Sequence, residues 1–186
     1  MSAIRLEPDP ALDAAFYEAV GRCITSWADI EVRLLLILIN CLHTEQVASV
    51  AAAYYSAVAF AGKVGMVDAA MHCDLSSGSL TNEWEGLRDR CDKHARSRNH
   101  IAHYQFRHMP PERSVVEKQR NAGVETITSL PVLGPAFLNT KAALDPKLPT
   151  YTSEDLIERL GVYRQLDIDL SNFANRVRAL SPHPFP

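Results

Sequence analysis

The side chains best equipped for chemistry gather in one stretch, "HARSRNHIAHYQFRHM", residues 94 to 109. It holds four of the seven histidines and three arginines. From Arg88 to His108, six cations (Arg88, Arg90, Lys93, Arg96, Arg98 and Arg107) stand against two carboxylates, Asp89 and Asp92, a net charge of +4. The whole chain carries −3, so everything outside this window sums to −7. A guanidinium offers five donors in a planar fork that suits phosphate. An imidazole gains or loses a proton near neutral pH. An asparagine beside them can orient either one. Arg98, Asn99 and His103 are therefore parts for binding and cleaving a phosphodiester. Arg96, His100, Tyr104 and Arg107 are the candidate substrate contacts around them.

Helical spacing places these groups. At 100° per residue, with Arg98 at 0°, Cys91 falls at about 20°, Leu87 at about −20°, Trp84 and Ala102 at about 40° and Ala95 at about 60°. Arg98 thus lies in the middle of an apolar stripe. Asn99 and His103, four apart, meet at its edge, near 100° and 140°. An arginine on such a stripe needs a carboxylate partner, or the stripe must open into a cleft or interface. Glu31, Asp29 and Asp167 are the candidate partners within the fold. His100 and His103, three apart, could pair on a metal. However, no Glu-x-x-His motif accompanies them, so no metal site and no cofactor is expected.

Apolar residues elsewhere supply the scaffold. Leu12, Phe16, Val20, Cys23, Trp27, Ile30, Leu34, Leu38 and Cys41 recur at steps of three or four, which predicts a first helix of about 30 residues, roughly 45 Å long. An alanine-rich second helical region follows from Thr44 to Cys73, bent or split at Gly62 and Gly65. A loop over 74–82 ends in a cap, Ser79 or Thr81, and the third helix runs to about Tyr104. Six of the eleven prolines fall within 106–150. There "RSVVEKQRNAGVETITSL" alternates about Asn121–Gly123, the pattern of a β-hairpin. Thr152 and Asp155 form a capping box at the start of a last helix, whose stripe is Leu156, Leu160, Tyr163, Leu166, Leu170, Phe173, Val177 and Leu180. The expected fold is all-α: a single domain over 1–186, an up-and-down bundle of four to five antiparallel helices with a largely non-helical insertion at 106–150.

Composition narrows the class. An apolar fraction of 47% and a charged fraction of 22% are those of a globular protein that can bury its own core. Cys23, Cys41, Cys73 and Cys91 show no CxxC pair and no zinc spacing, which points to a reducing compartment, the cytoplasm. No leader is expected at "MSAIRLEPDP". The most apolar run, "LLLILINCL", is too short to span a bilayer, so no membrane role is expected.

"RNHIAH", Arg98 to His103, resembles the R-x-x-x-x-H signature of HEPN (higher eukaryote and prokaryote nucleotide-binding) domains. In that family a polar residue, often asparagine, follows the arginine, as Asn99 does here, and the motif lies near the end of a bundle helix. The resemblance implies a metal-independent endoribonuclease, active as a homodimer with both motifs facing one cleft, in a toxin or defence setting where an antitoxin protein is a further partner. It implies that His103 performs acid–base catalysis, that Arg98 stabilises the phosphorane, that Asn99 positions them, and that the product ends in a 2′,3′-cyclic phosphate. Some toxin members carry a modifiable tyrosine two residues after the histidine. Here that position is Gln105, and the tyrosine is Tyr104. The alternative within the same resemblance is a non-catalytic module that binds a nucleotide or a protein.

Overall fold

The computed structural model describes residues 5–73, 80–124, 126–135 and 148–180. Among them the chain is 75% helical, with six helices and a small three-stranded sheet. In chain order the elements are β1 (Arg5–Pro8), α1 (Pro10–Cys41), α2 (Val47–Ser56), α3 (Phe60–Cys73), α4 (Thr81–His103), β2 (Gln105–Met109), α5 (Arg113–Asn121), β3 (Thr126–Gly134) and α6 (Ser153–Leu180). They divide into two compact units. One, the sheet unit, comprises Met1–Ile24 and Asn99–Leu160; the other, the helical unit, comprises Thr25–Arg98 and Gly161–Pro186. The divisions fall inside α1, α4 and α6.

The three long helices form where the apolar periodicity predicts them. In α1, Phe16, Cys23, Trp27, Ile30, Leu34, Leu38 and Cys41 are all buried. In α6 the stripe from Leu156 to Val177 is buried, and only its last member, Leu180, is exposed. Burial of such stripes is worth about 1.5–3 kcal/mol per large side chain. Gly21 causes no interruption, since α1 is one 32-residue helix, and a Cβ at that position would touch nothing. The second region does split, but not at its glycines. The break is at Ala57, whose extended backbone (φ −72°, ψ 107°) ends α2. Thr81 begins α4; Ser79, the other candidate cap, lies outside the described residues.

Within the helical unit, side-chain pairs give the helix directions. On α1, Trp27 meets Tyr163, Arg33 meets Asp167 and Asn40 meets the Ala174 carbonyl. On α3, Phe60 lies against Trp27, Lys63 against Glu31 and Met71 against Cys41. The residue numbers rise together, so α1, α3 and α6 run in the same direction. On α4 they fall: Ser97 bonds Tyr163, Arg90 bonds Asp169 and Glu83 pairs with Arg176. Between α1 and α3, the short α2 turns back until its Tyr54 hydroxyl donates to the Glu31 carbonyl at 2.8 Å. Successive helices of this unit therefore alternate in direction.

The sheet unit holds the insertion. β3 is the central strand, parallel to β1 from Arg5↔Thr126 to Pro8↔Ser129 and antiparallel to β2 from Gln105↔Gly134 to Met109↔Leu130. Pro131 lies past the stretch paired to β1, where its missing N–H breaks no bond to that strand. The predicted turn at Asn121–Gly123 is not a hairpin. Residues 113–121 are helix α5, and Gly123, at φ 77°, is its left-handed cap. Val124 N–H donates to the Gln119 carbonyl and Gly123 N–H to the Arg120 carbonyl, which is the Schellman pattern. A hairpin turn and a helix C-cap both call for a left-handed glycine after a polar residue, so the local signal fits either one. Thr152 and Asp155 do form the reciprocal box: Thr152 N–H donates to Asp155 Oδ2 at 2.8 Å, and Asp155 N–H to Thr152 Oγ1 at 3.3 Å.

Candidate functional site

Helix α4 carries the motif to its C-terminal end. Trp84, Leu87 and Cys91 are buried as the wheel requires. Toward the end the buried face turns, so that Ile101 is buried while Ala102, placed on the stripe by the wheel, is exposed. Arg98 stays half-buried, its side chain 31% exposed. It lies in the helical unit; Asn99, His100, His103, Tyr104 and Arg107 lie in the sheet unit.

In the helical unit, Arg98 answers the pairing requirement with Glu31. Its Nη2 donates to Glu31 Oε1 at 3.4 Å, longer than the usual charge-assisted bond of about 2.7–2.9 Å. The other carboxylate oxygen, Oε2, accepts from Lys63 Nζ at 2.5 Å. Lys63 is itself buried, its side chain 11% exposed, with Nζ 5.4 Å and 5.3 Å from the ring centres of Tyr54 and Tyr55. Two cations thus share one carboxylate. Burial, reinforced by the Glu31 charge, pushes the Tyr54 hydroxyl far above the ordinary phenol range, so it stays protonated and donates. Lys63 escapes motif-based reading, but the sequence carries a signal: it is the only charged residue between Glu45 and Asp68.

Two other cations of the basic window, Arg88 and Arg90, also meet carboxylates. Arg88 bonds Asp68 at 3.1 Å, and Trp84 Nε1 bonds the same oxygen at 2.9 Å. Burial pushes the Asp68 carboxyl up, but hydrogen bonds from Trp84 and Arg88 outweigh it and hold the group below the usual carboxylate range. Arg90 bonds Asp169 at 2.7 Å. Arg96 is exposed.

In the sheet unit, His103 and Asn99 are exposed on the last turns of α4. His100 is half-buried. Its Nδ1 lies 3.1 Å from the Tyr151 hydroxyl, and its ring stacks on Tyr104 with centres 4.7 Å apart and planes 15° apart. Burial holds its imidazole below the ordinary histidine range. The Tyr104 hydroxyl is covered, with no hydrogen-bond partner among the described residues, and burial raises it. Arg107 donates to the Pro135 carbonyl, so its guanidinium anchors the end of β3. His108 Nε2 pairs with Asp13 at 2.9 Å. Of the predicted substrate contacts, Arg96 faces solvent, while Tyr104 and Arg107 spend their polar ends on packing and on the backbone. Among the described residues, no three His, Cys, Asp or Glu side chains cluster as metal ligands, and no helix is long and apolar enough to cross a membrane.

No family model matches the chain, and neither a curated protein nor a solved structure matches it.

Proposed function

We propose that the chain is a metal-independent endoribonuclease of the HEPN type, acting as a homodimer in a cytoplasmic toxin or defence role. The observation that carries this reading is the state of Arg98. It is a half-buried arginine held at long range by a carboxylate that a lysine also neutralises, five residues before an exposed histidine on one uninterrupted helix. In the reaction, His103 removes the proton of a ribose 2′-hydroxyl or, when protonated, delivers one to the leaving 5′-oxygen. The 2′-oxygen forms a bond to phosphorus, the bond from phosphorus to the 5′-oxygen breaks, and a 2′,3′-cyclic phosphate remains. Arg98 stabilises the extra negative charge of the phosphorane. Asn99 orients the scissile phosphate or its neighbours.

A second reading has its own observation. Arg98 already has an internal carboxylate partner, as a module that binds a nucleotide or a protein without turnover would tolerate. Cleavage of a panel of labelled RNAs in EDTA separates the two. Wild type should cut and leave cyclic phosphate ends. His103→Ala should lose about 10²–10⁴-fold in rate, and Arg98→Ala about 10²–10³-fold. Unchanged cutting by either variant sinks the nuclease reading, and absence of cutting by the wild type moves the conclusion to the binding module.

A further inference from the structure

His100 has two ring nitrogens, and the fold of the sheet unit uses only one of them. Nδ1 lies 3.1 Å from the Tyr151 hydroxyl. Nε2 makes no hydrogen bond with the described residues and is not one of their covered polar atoms, so it reaches solvent. The hydrogen-bond balance decides which nitrogen carries the proton. Tyr151 is 5% exposed, and its hydroxyl bonds His100 and no other described residue. Were Nδ1 the donor, the phenol hydrogen would be left without an acceptor inside the fold, the costlier arrangement. Burial also holds the Tyr151 hydroxyl above the ordinary phenol range, so its proton is present to give. The hydroxyl therefore donates, Nδ1 accepts, and the one ring proton of the neutral imidazole sits on Nε2.

Tyr151 is well anchored for this. Its backbone N–H and C=O both bond Leu133 on β3, each at 2.9 Å. The next residue, Thr152, opens the capping box of α6. Tyr104 stacks on the imidazole, and its own hydroxyl has no partner among the described residues, so it does not compete for Nδ1. With the ring plane and its acceptor both held, the direction of Nε2–H is set.

The position of that donor matters. On the helical wheel His100 falls at about 200°, so His103, at about 140°, lies between it and Asn99, at about 100°. Residues three apart on a helix are neighbours. An imidazolium at position 100 would oppose protonation of His103, whereas a neutral Nε2–H gives a phosphate oxygen a hydrogen bond without that opposition. Burial favours the neutral form of His100. The other titratable groups around the pair are His103 and Tyr104 at the end of α4, and Asp155 and Arg159 on the first turns of α6, which act on Tyr151.

We propose that Tyr151 is a positioning residue that holds His100 as its Nε2–H tautomer, and that this N–H donates to a non-bridging oxygen of a phosphodiester bound beside His103. The proposal rests on the phosphodiester-binding reading of the motif given above, and it deepens that reading by adding a neutral donor and the group that orients it.

Nitrogen NMR of the imidazoles reads the tautomer directly. In the free protein His100 should show a protonated Nε2 and a bare Nδ1. Tyr151→Phe removes one oxygen and keeps the ring. It should raise the pH at which His100 titrates, because a hydrogen bond donated to the neutral ring is lost; were Nδ1 the donor, the same change would lower it. Binding is read by fluorescence anisotropy with a short oligoribonucleotide, 2′-O-methylated at every ribose so that no 2′-hydroxyl can attack. His100→Phe keeps a ring in the stack and should weaken binding about tenfold. His100→Gln, whose amide can accept from Tyr151 and donate outward, should stay within about threefold of wild type. A histidine needed only for packing would give the reverse order. An Nδ1–H tautomer, a downward shift in Tyr151→Phe, failure of the wild type to bind, or binding by His100→Phe equal to wild type each overturns the proposal. Wild-type binding to this probe without cleavage of unmodified RNA overturns the nuclease reading and leaves this inference standing.

Discussion

At the scale of single residues, one titratable group is shifted by what covers it. His100 is stacked on Tyr104 and bonded to Tyr151, and burial favours its neutral form. Its folded-state pKa lies below the unfolded one, so the stability it contributes is fully present above the ordinary histidine range and is lost as pH falls through the lowered value. Thermal melts at about pH 8 and about pH 5 should therefore show a larger drop in Tm for wild type than for His100→Phe, which keeps a ring in the stack but has no proton to gain. An equal drop in both would mean that His100 is not the titrating group. Arg98 shows how far residue-level reading reaches. Its stripe position required a partner, and Glu31 was among the three candidates because it is a carboxylate on the facing helix. Lys63 was not legible in this way. A lysine announces no motif, and its importance comes from the oxygen it occupies, which only the packing of α3 against α1 reveals.

At the scale of elements, periodicity located α1, α4 and α6 well because each buries one continuous stripe, and a stripe repeats in sequence. Capping was equally readable. Thr152→Ala should cost about 1 kcal/mol by removing the Oγ1 acceptor of the Asp155 N–H, seen as a lower denaturant midpoint with an unchanged slope. No change in midpoint would leave the box without energetic weight. The insertion was less readable. The residues that look like a hairpin turn cap α5 instead, since a left-handed glycine serves both. β1 is a four-residue strand, Arg5–Pro8, that ends on a proline, and its partner lies more than a hundred residues away. Nothing local specifies a parallel pairing at that separation. The turn of the α4 buried face from Ala102 to Ile101 is likewise set by what packs beside it, not by an ideal 100° step.

At the scale of the whole molecule, the uneven charge distribution has a structural use. Arg88, Arg90 and Arg98 each meet a carboxylate from another helix of their unit, namely Asp68, Asp169 and Glu31. Three of the window's six cations are thus balanced by carboxylates within the helical unit. That pairing lowers the positive field that would attract nucleic acid indiscriminately. RNA binding, measured against salt, should therefore give a shallow dependence of log K on log salt, with a slope of roughly −2, corresponding to about three phosphate contacts. A slope several-fold steeper would mean that the paired arginines open outward to meet RNA.

Both tryptophans of the chain, Trp27 and Trp84, belong to the helical unit and are buried there. Trp27 rests on Phe60 and Tyr163, and Trp84 is bonded to Asp68. Intrinsic fluorescence is thus a private signal of one unit, silent about the sheet unit, whereas far-ultraviolet circular dichroism sums over the helices of both. Recording the two along one denaturation curve turns the placement of two indoles into a direct reading of cooperativity: superposed transitions mean that the units unfold as one, and displaced ones mean that each has a stability of its own.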